Sequence, residues 1–124
     1  MNKKERVAKV KSILLPPSEY YVLEGHTPVP ADRETWAMYL EEDRHVALTR
    51  KDGVEVSTVF LGLNHSFVGF LSAEPILFET MIFGPGYSEG DDQKEYMTRC
   101  STWEQAERMH AKACKIAGIP WKKP

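Results

Sequence analysis

The stretch HVALTRKDGVEVSTVFLGL, residues 45–63, constrains this chain more than any other. Strand-forming residues fill both halves, and Lys51-Asp52-Gly53 separates them. The pattern reads as strand, turn, strand, because Gly53 accepts the positive φ that a tight hairpin turn needs. The second strand, 54–63, is long, and it stops at Asn64-His65. An antiparallel pair is therefore built into the middle of the chain.

Gly and Pro clusters divide the rest. YYVLEG, 20–25, reads as a short strand. HTPVPA follows as an extended linker, since Pro28 and Pro30 exclude both a helix and a central strand. Asp32 caps a helix over 33–43, whose buried face would carry Trp36, Tyr39 and Leu40. A loop over 64–74 leads to a strand at 75–83, and GPGYSEGDDQ reads as an acidic loop. Ser101-Thr102-Trp103-Glu104 has the form of a capping box between Ser101 and Glu104. The helix it opens spans 102–117, with a buried stripe of Trp103, Ala106, Met109 or His110, Ala113, Ile116 and Ala117, and Gly118 and Pro120 end it. The implied class is α+β, a two-layer sandwich in which two main helices pack on an antiparallel sheet of about four strands. Residues 1–17 form a basic arm or short helix that Pro16-Pro17 terminate, and 18–120 form one domain.

The 124 residues suffice to bury a core without metals or disulfides, so no cofactor and no metal are expected. Hydrophobic content of 42% with 27% charge is globular, and the absence of any run of 18 apolar residues argues against a membrane partner. Lys9 and Lys11 interrupt what would be the apolar part of a signal peptide, and two cysteines fit free thiols in a reducing compartment. A cytoplasmic setting is expected. The net charge of −2 provides no global attraction to nucleic acid. Yet residues 1–15 carry five bases against one acid, and 88–95 carry four acids against Lys94.

Glu79 stands alone in the apolar run PILFETMIF. By alternation it shares a face with Leu77, Met81 and Phe83, while Ile76, Phe78, Thr80 and Ile82 take the other. Both faces are apolar, which implies a covering layer on each side, such as a second subunit, or a partner for the carboxylate among Ser57, Thr58 and His110. His26, His65 and His110 supply imidazoles. Cys100, His110 and Cys114 match no zinc spacing, there is no nucleophile elbow, and a proline spoils Gly84-Pro85-Gly86 as a phosphate loop. Asn64-His65 reads as a strand end that caps the following loop, and Glu79 as a structural acid; no catalytic residue is assigned. The candidate functional residues are His65, Asn64, Glu79, His110 and His26.

The segments YYVLEGHTPVP, WAMYLEEDRHVALT, VSTVFLGLNHSF, PILFETMIFG and CSTWEQAERMHAKA together resemble a family of small proteins encoded by phages and prophages. That family shows the patterns YVLxGHTPVP, VSTVFLGLDH, LFETMVFG and YSTWxEAxxGH. The likeness covers about 20–111, and this chain departs from it in having Asn64 for Asp and Met109 for Gly. The resemblance implies membership and a bacterial-host setting, and it implies no activity. The leading expectation is a non-enzymatic accessory protein that binds a host or phage protein, for example to inhibit a host defence complex, with a homodimer as one form. A small hydrolase or ligand-binding domain using His65, Glu79 and His110 is the first alternative. A nucleic-acid-binding accessory protein led by the basic arm is the second.

Overall fold

The computed structural model describes residues 19–64, 74–87 and 95–124. The basic arm 1–17, His65 and most of the acidic stretch 88–95 lie outside the described residues. Strands β1 (Tyr20–Glu24) and β2 (Thr27–Ala31) form a two-stranded sheet. Helix α1 (Arg33–Tyr39) follows. Strands β3 (His45–Lys51), β4 (Val54–Phe60), β5 (Phe78–Phe83) and β6 (Tyr96–Cys100) form an antiparallel sheet in that order. Helix α2 (Trp103–Ala117) packs across one face of it. The class is α+β, with α2 as the main layer over the sheet.

The central hairpin forms where the sequence places it. Asp52 and Gly53, with φ of 53° and 81°, are the two residues between Lys51 and Val54, the positive pair that a two-residue hairpin turn requires. The composition of the sheet differs from the sequence expectation. The strand expected at 20–25 does not join it: β1 pairs with β2, and β6, which the sequence does not mark, supplies the fourth strand. HTPVPA is thus a strand rather than a linker. Prolines two residues apart place both missing N–H groups on one edge of β2, and the other edge stays free to pair with β1. Tyr21, opposite Pro30, accordingly donates its amide away from β2, to the carbonyl of Gly62 at 2.7 Å. No apolar run marks β6, because Met97 and Arg99 alternate with Tyr96, Thr98 and Cys100 on an edge strand.

Segment 61–64 links the two sheets. β4 ends at Phe60 rather than 63, since Gly62 turns the backbone at φ 69°. Leu63 then bridges Tyr20, and the Asn64 amide donates to the Glu19 carbonyl at 2.9 Å. Helix α1 lies against this junction. Its Trp36 ring stands 4.9 Å from that of Tyr20, and its indole N–H points to the Leu61 carbonyl at 3.4 Å. The helix is shorter than 33–43, ending at Tyr39 with Leu40 as C-cap, because Arg44 already accepts the Phe60 amide beside β3. None of its residues is fully buried, although Tyr39 meets Phe60 edge-on at 6.0 Å.

The capping box of α2 sits one residue later than the sequence suggested. Thr102 accepts from the Gln105 amide, and the Gln105 side chain accepts from the amides of Ser101 and Thr102. Its buried residues are Ala106, His110, Ala113 and Cys114, whereas Ile116 is 49% exposed, a correction to the expected stripe. Gly118 ends the helix at φ 75°, and the chain folds back to bury Ile119.

At Gly62 a β-carbon would stand 2.6 Å from Trp36 Nε1 and 2.8 Å from the Tyr21 carbonyl oxygen. Gly62→Ala should therefore add a steric clash to the cost of a left-handed backbone, about 2–4 kcal/mol in all. Gly25→Ala, at φ 62° with open space around it, should cost only about 1 kcal/mol. Urea denaturation of the two variants checks the difference; equal losses would refute the packing role of Gly62.

Candidate functional site

The two faces of the four-stranded sheet differ in chemistry. Strand alternation turns Val56, Thr58 and Phe60 of β4, and Phe78, Thr80 and Ile82 of β5, toward α2, and all six are fully buried. Phe60 and Phe78 join Tyr21, Leu77 and Ala106 in one apolar cluster. Val56 and Ile82 join Ala113, Cys114 and Ile119 in another. Between them runs a polar row.

His110 enters that row from α2. Its Nδ1 lies 2.8 Å from the Thr58 hydroxyl and its Nε2 2.9 Å from the Thr49 hydroxyl, while Thr58 and Thr80 share a hydrogen bond at 2.6 Å. The Trp121 ring closes the site edge-on at 4.9 Å. Burial disfavours the imidazolium and pushes the His110 pKa down from 6.5 to about 4. A neutral ring has one donor and one acceptor nitrogen, and hydroxyls on either side satisfy both in either tautomer. Thr98 continues the row beside Thr80, and its buried hydroxyl lacks a hydrogen-bond partner among the described residues. The arrangement joins helix to sheet and leaves the imidazole no open side.

The opposite face carries three rows of side chains. Val59, Glu79 and Arg99 form one, with His45 paired to Val59; Leu48, Ser57, Met81 and Met97 form the next; Arg50, Glu55 and Phe83 form the third. No described element packs on it. Leu48, Phe83 and Met97 are 38%, 37% and 42% exposed. Glu79 accepts from Arg99 Nε at 3.0 Å across the β5–β6 pair, and Arg50 lies 3.5 Å from Glu55. The carboxylate partner is thus Arg99, rather than Ser57, Thr58 or His110. Glu79 and His110 lie on opposite sides of the sheet, so the structure does not assemble the site that a hydrolase using both would need.

The remaining candidates occupy separate places. Asn64 Oδ1 accepts from the Ile76 amide at 3.1 Å and so joins the two ends of the intervening loop. His26, at the tip of the β1–β2 hairpin, stacks on Trp103 with centroids 3.8 Å apart and planes 5° from parallel. That contact fastens the hairpin to the start of α2. Cys100 packs against the first cluster, with burial raising its thiol pKa to about 11, and Cys114 lies in the second. Among the described residues no group of three His, Cys, Asp or Glu is placed to hold a metal. Sequence reasoning overlooked His45, whose ring and amide both reach Asp43 Oδ1, at 2.9 and 3.0 Å. The Asp-x-His spacing was the available signal, since aspartate commonly accepts from the amide two residues on.

The chain matches no protein-family model, no curated protein and no solved structure. No helix among the described residues is long and apolar enough to cross a membrane.

Two predictions follow from the two faces. His110 is held neutral in the fold while the unfolded chain takes up its proton near 6.5, so stability falls as pH drops from 6.5 to about 4 and levels off below that. The loss, on the order of 3 kcal/mol, should vanish in His110→Gln, which hydrogen-bonds without titrating. Urea curves at stepped pH test this, and parallel profiles for parent and variant would refute it. On the other face, the Arg99 side chain is 35% exposed and can return to water. Glu79→Ala should then cost at most about 1 kcal/mol in thermal or chemical melts, below the loss expected from an unpaired buried group.

Proposed function

We propose that this protein works by binding rather than by catalysis, and that the open face of its four-stranded sheet is the contact surface. The observation that carries this reading is the exposure of Leu48, Phe83 and Met97 on one face that no described element covers. Exposed apolar side chains grouped on one face mark sites of protein association. Four charges on that face are neutralised in two pairs, Arg50 with Glu55 and Arg99 with Glu79, so it offers little attraction to phosphate, and the partner it suits is a protein. Within the phage and prophage family that the chain resembles, this makes it an accessory protein that occupies the surface of a host or phage protein, as an inhibitor of a host defence complex does. The setting is the bacterial cytoplasm.

One observation favours a second reading, contact with nucleic acid. Arg108, Lys112 and Lys115 stand at i, i+4 and i+7 on the solvent side of α2, and all are exposed. Only a few charges are involved, and they lie opposite the apolar face.

The deciding experiment is affinity capture from lysogenic or phage-infected bacterial lysate with the parent, Met97→Lys, Leu48→Lys and Lys112→Glu. A specific protein retained by the parent and by Lys112→Glu, and lost from the two face variants, is the expected result. Loss with Lys112→Glu alone, or recovery of nuclease-sensitive material, would transfer the function to α2.

A further inference from the structure

We infer that the segment after α2 is a strap, seated along that helix in the neutral protein and released by mild acid while the sheet stays folded. The strap lies on the α2 side of the sheet, so its release is independent of the open face.

Beyond Gly118 the chain reverses and runs back along the helix it has just left. Ile119 is buried in the same cluster as Cys114 and donates its amide to the Cys114 carbonyl at 2.8 Å. The Trp121 ring meets that of His110 at 4.9 Å, and Lys123 Nζ lies 3.3 Å from the Glu107 carboxylate. Ile119, Trp121 and Lys123 thus answer Cys114, His110 and Glu107, which stand on one face of α2 at successive turns.

After Ile119 only side chains hold the strap. Among the described residues no hydrogen bond reaches the backbone of 120–124, and Pro120 has no N–H to give. The fastenings are the packing of Trp121 against His110 and the second apolar cluster, together with the ion pair. The Lys123 side chain is 65% exposed, so the pair adds little. A segment held in this way opens at a lower free energy than the strands beneath it.

The strap covers a group whose charged form needs water. Besides α2 itself, β3 touches the imidazole through Thr49, β4 through Thr58 and the strap through Trp121. Both hydroxyls are able to accept, so they satisfy the two N–H groups of an imidazolium, and Thr58 then donates onward to Thr80. Protonation therefore leaves the hydrogen-bonded row intact, and its cost is the lost hydration of the cation. Moving β3 or β4 to admit water would break the sheet, whereas lifting Trp121 breaks no backbone hydrogen bond.

The charges around the ring act in the same direction. Glu107, one turn before His110, attracts the imidazolium and stays on the helix; Lys123 repels it and leaves with the strap. On β3, Lys51 shares the Thr49 side of the strand and adds to the repulsion. Thr58 and Thr80 carry no charge, and burial holds the Cys114 thiol neutral. The uncovered ring takes up its proton near 6.5 and the covered ring only at about 4, so the drive to open begins below 6.5, grows as pH falls and is complete near 4. Release exposes Trp121 and the flank of α2 beneath it.

The test is an NMR titration of the full chain from neutral pH down to about 4, following the Trp121 indole and the amides of 121–123 against those of β4 and β5. In the parent the strap signals should move to unfolded positions in one transition between 6.5 and about 4, while the strand amides keep their dispersion. His110→Gln, which hydrogen-bonds without titrating, should keep the strap seated throughout. In Trp121→Ala the amides of 122 and 123 should come free about one pH unit higher than in the parent, the shift expected when one aromatic contact is lost. Strap signals that stay in place to the end of the titration, or that move only together with the strand amides, overturn the inference. So does the parent's transition reappearing in His110→Gln. Should that variant fail to fold, Trp121→Ala decides, and an unchanged midpoint there overturns the inference as well.

Discussion

One histidine joins the two layers of this protein. From α2, His110 reaches a β3 hydroxyl with one nitrogen and a β4 hydroxyl with the other, and the β4 hydroxyl passes the chain to β5. Hydrogen bonds between apolar clusters matter because each group left unpaired there costs about 1–3 kcal/mol; this row is bonded from Thr49 through His110 and Thr58 to Thr80, and only the Thr98 hydroxyl at its end lacks a partner among the described residues. The demand fixes more than energy. A one-residue slip of β4 against β5 would turn Thr58 away from Thr80 and set Phe60 on the wrong face, so the polar row and the apolar clusters enforce a single register.

That register also shapes the outer surface. Every residue fixed inward fixes its neighbours outward, so Thr58 and Thr80 inside place Ser57, Val59, Glu79 and Met81 outside. The Glu79–Arg99 pair and the exposed Leu48 and Met97 are consequences of an interior built around His110. The open face is thus tied to the core, and a substitution in the buried row reshapes that face without touching it.

The small sheet is attached by a different device. Gly62 lets the chain leave β4 and present its carbonyl to Tyr21, and Trp36 seals the bend. At the other end His26 stacks on Trp103. The hairpin is therefore held at both ends, by a backbone approach that excludes any side chain and by a ring contact with the main helix.

Several features were legible in the residues because their causes are local. A turn with two positive φ values at Asp52-Gly53, a left-handed cap at Gly118, an N-cap at Asp32 and the 3.6-residue repeat of the last helix each depend on a few neighbouring residues. The sidedness of Glu79, Met81 and Phe83 followed from strand alternation alone, whereas Leu77, expected on the same face, is fully buried in the core beside Phe78 because β5 begins only at Phe78 and alternation does not extend before it. What the residues could not disclose was pairing over distance. Arg99 lies 20 positions from Glu79, and Thr58 lies 52 positions from His110. No periodicity encodes such partners, because they meet only when strand order and register bring them together. For the same reason β6 takes the place expected of β1, and Pro28 and Pro30, which exclude a central strand but not an edge one, lie on the unpaired edge of β2. Local chemistry determined the turns, the caps, the central hairpin and the last helix; the tertiary structure decided which segments pair as strands and which polar groups meet, since a hydrogen bond requires a partner within about 3 Å.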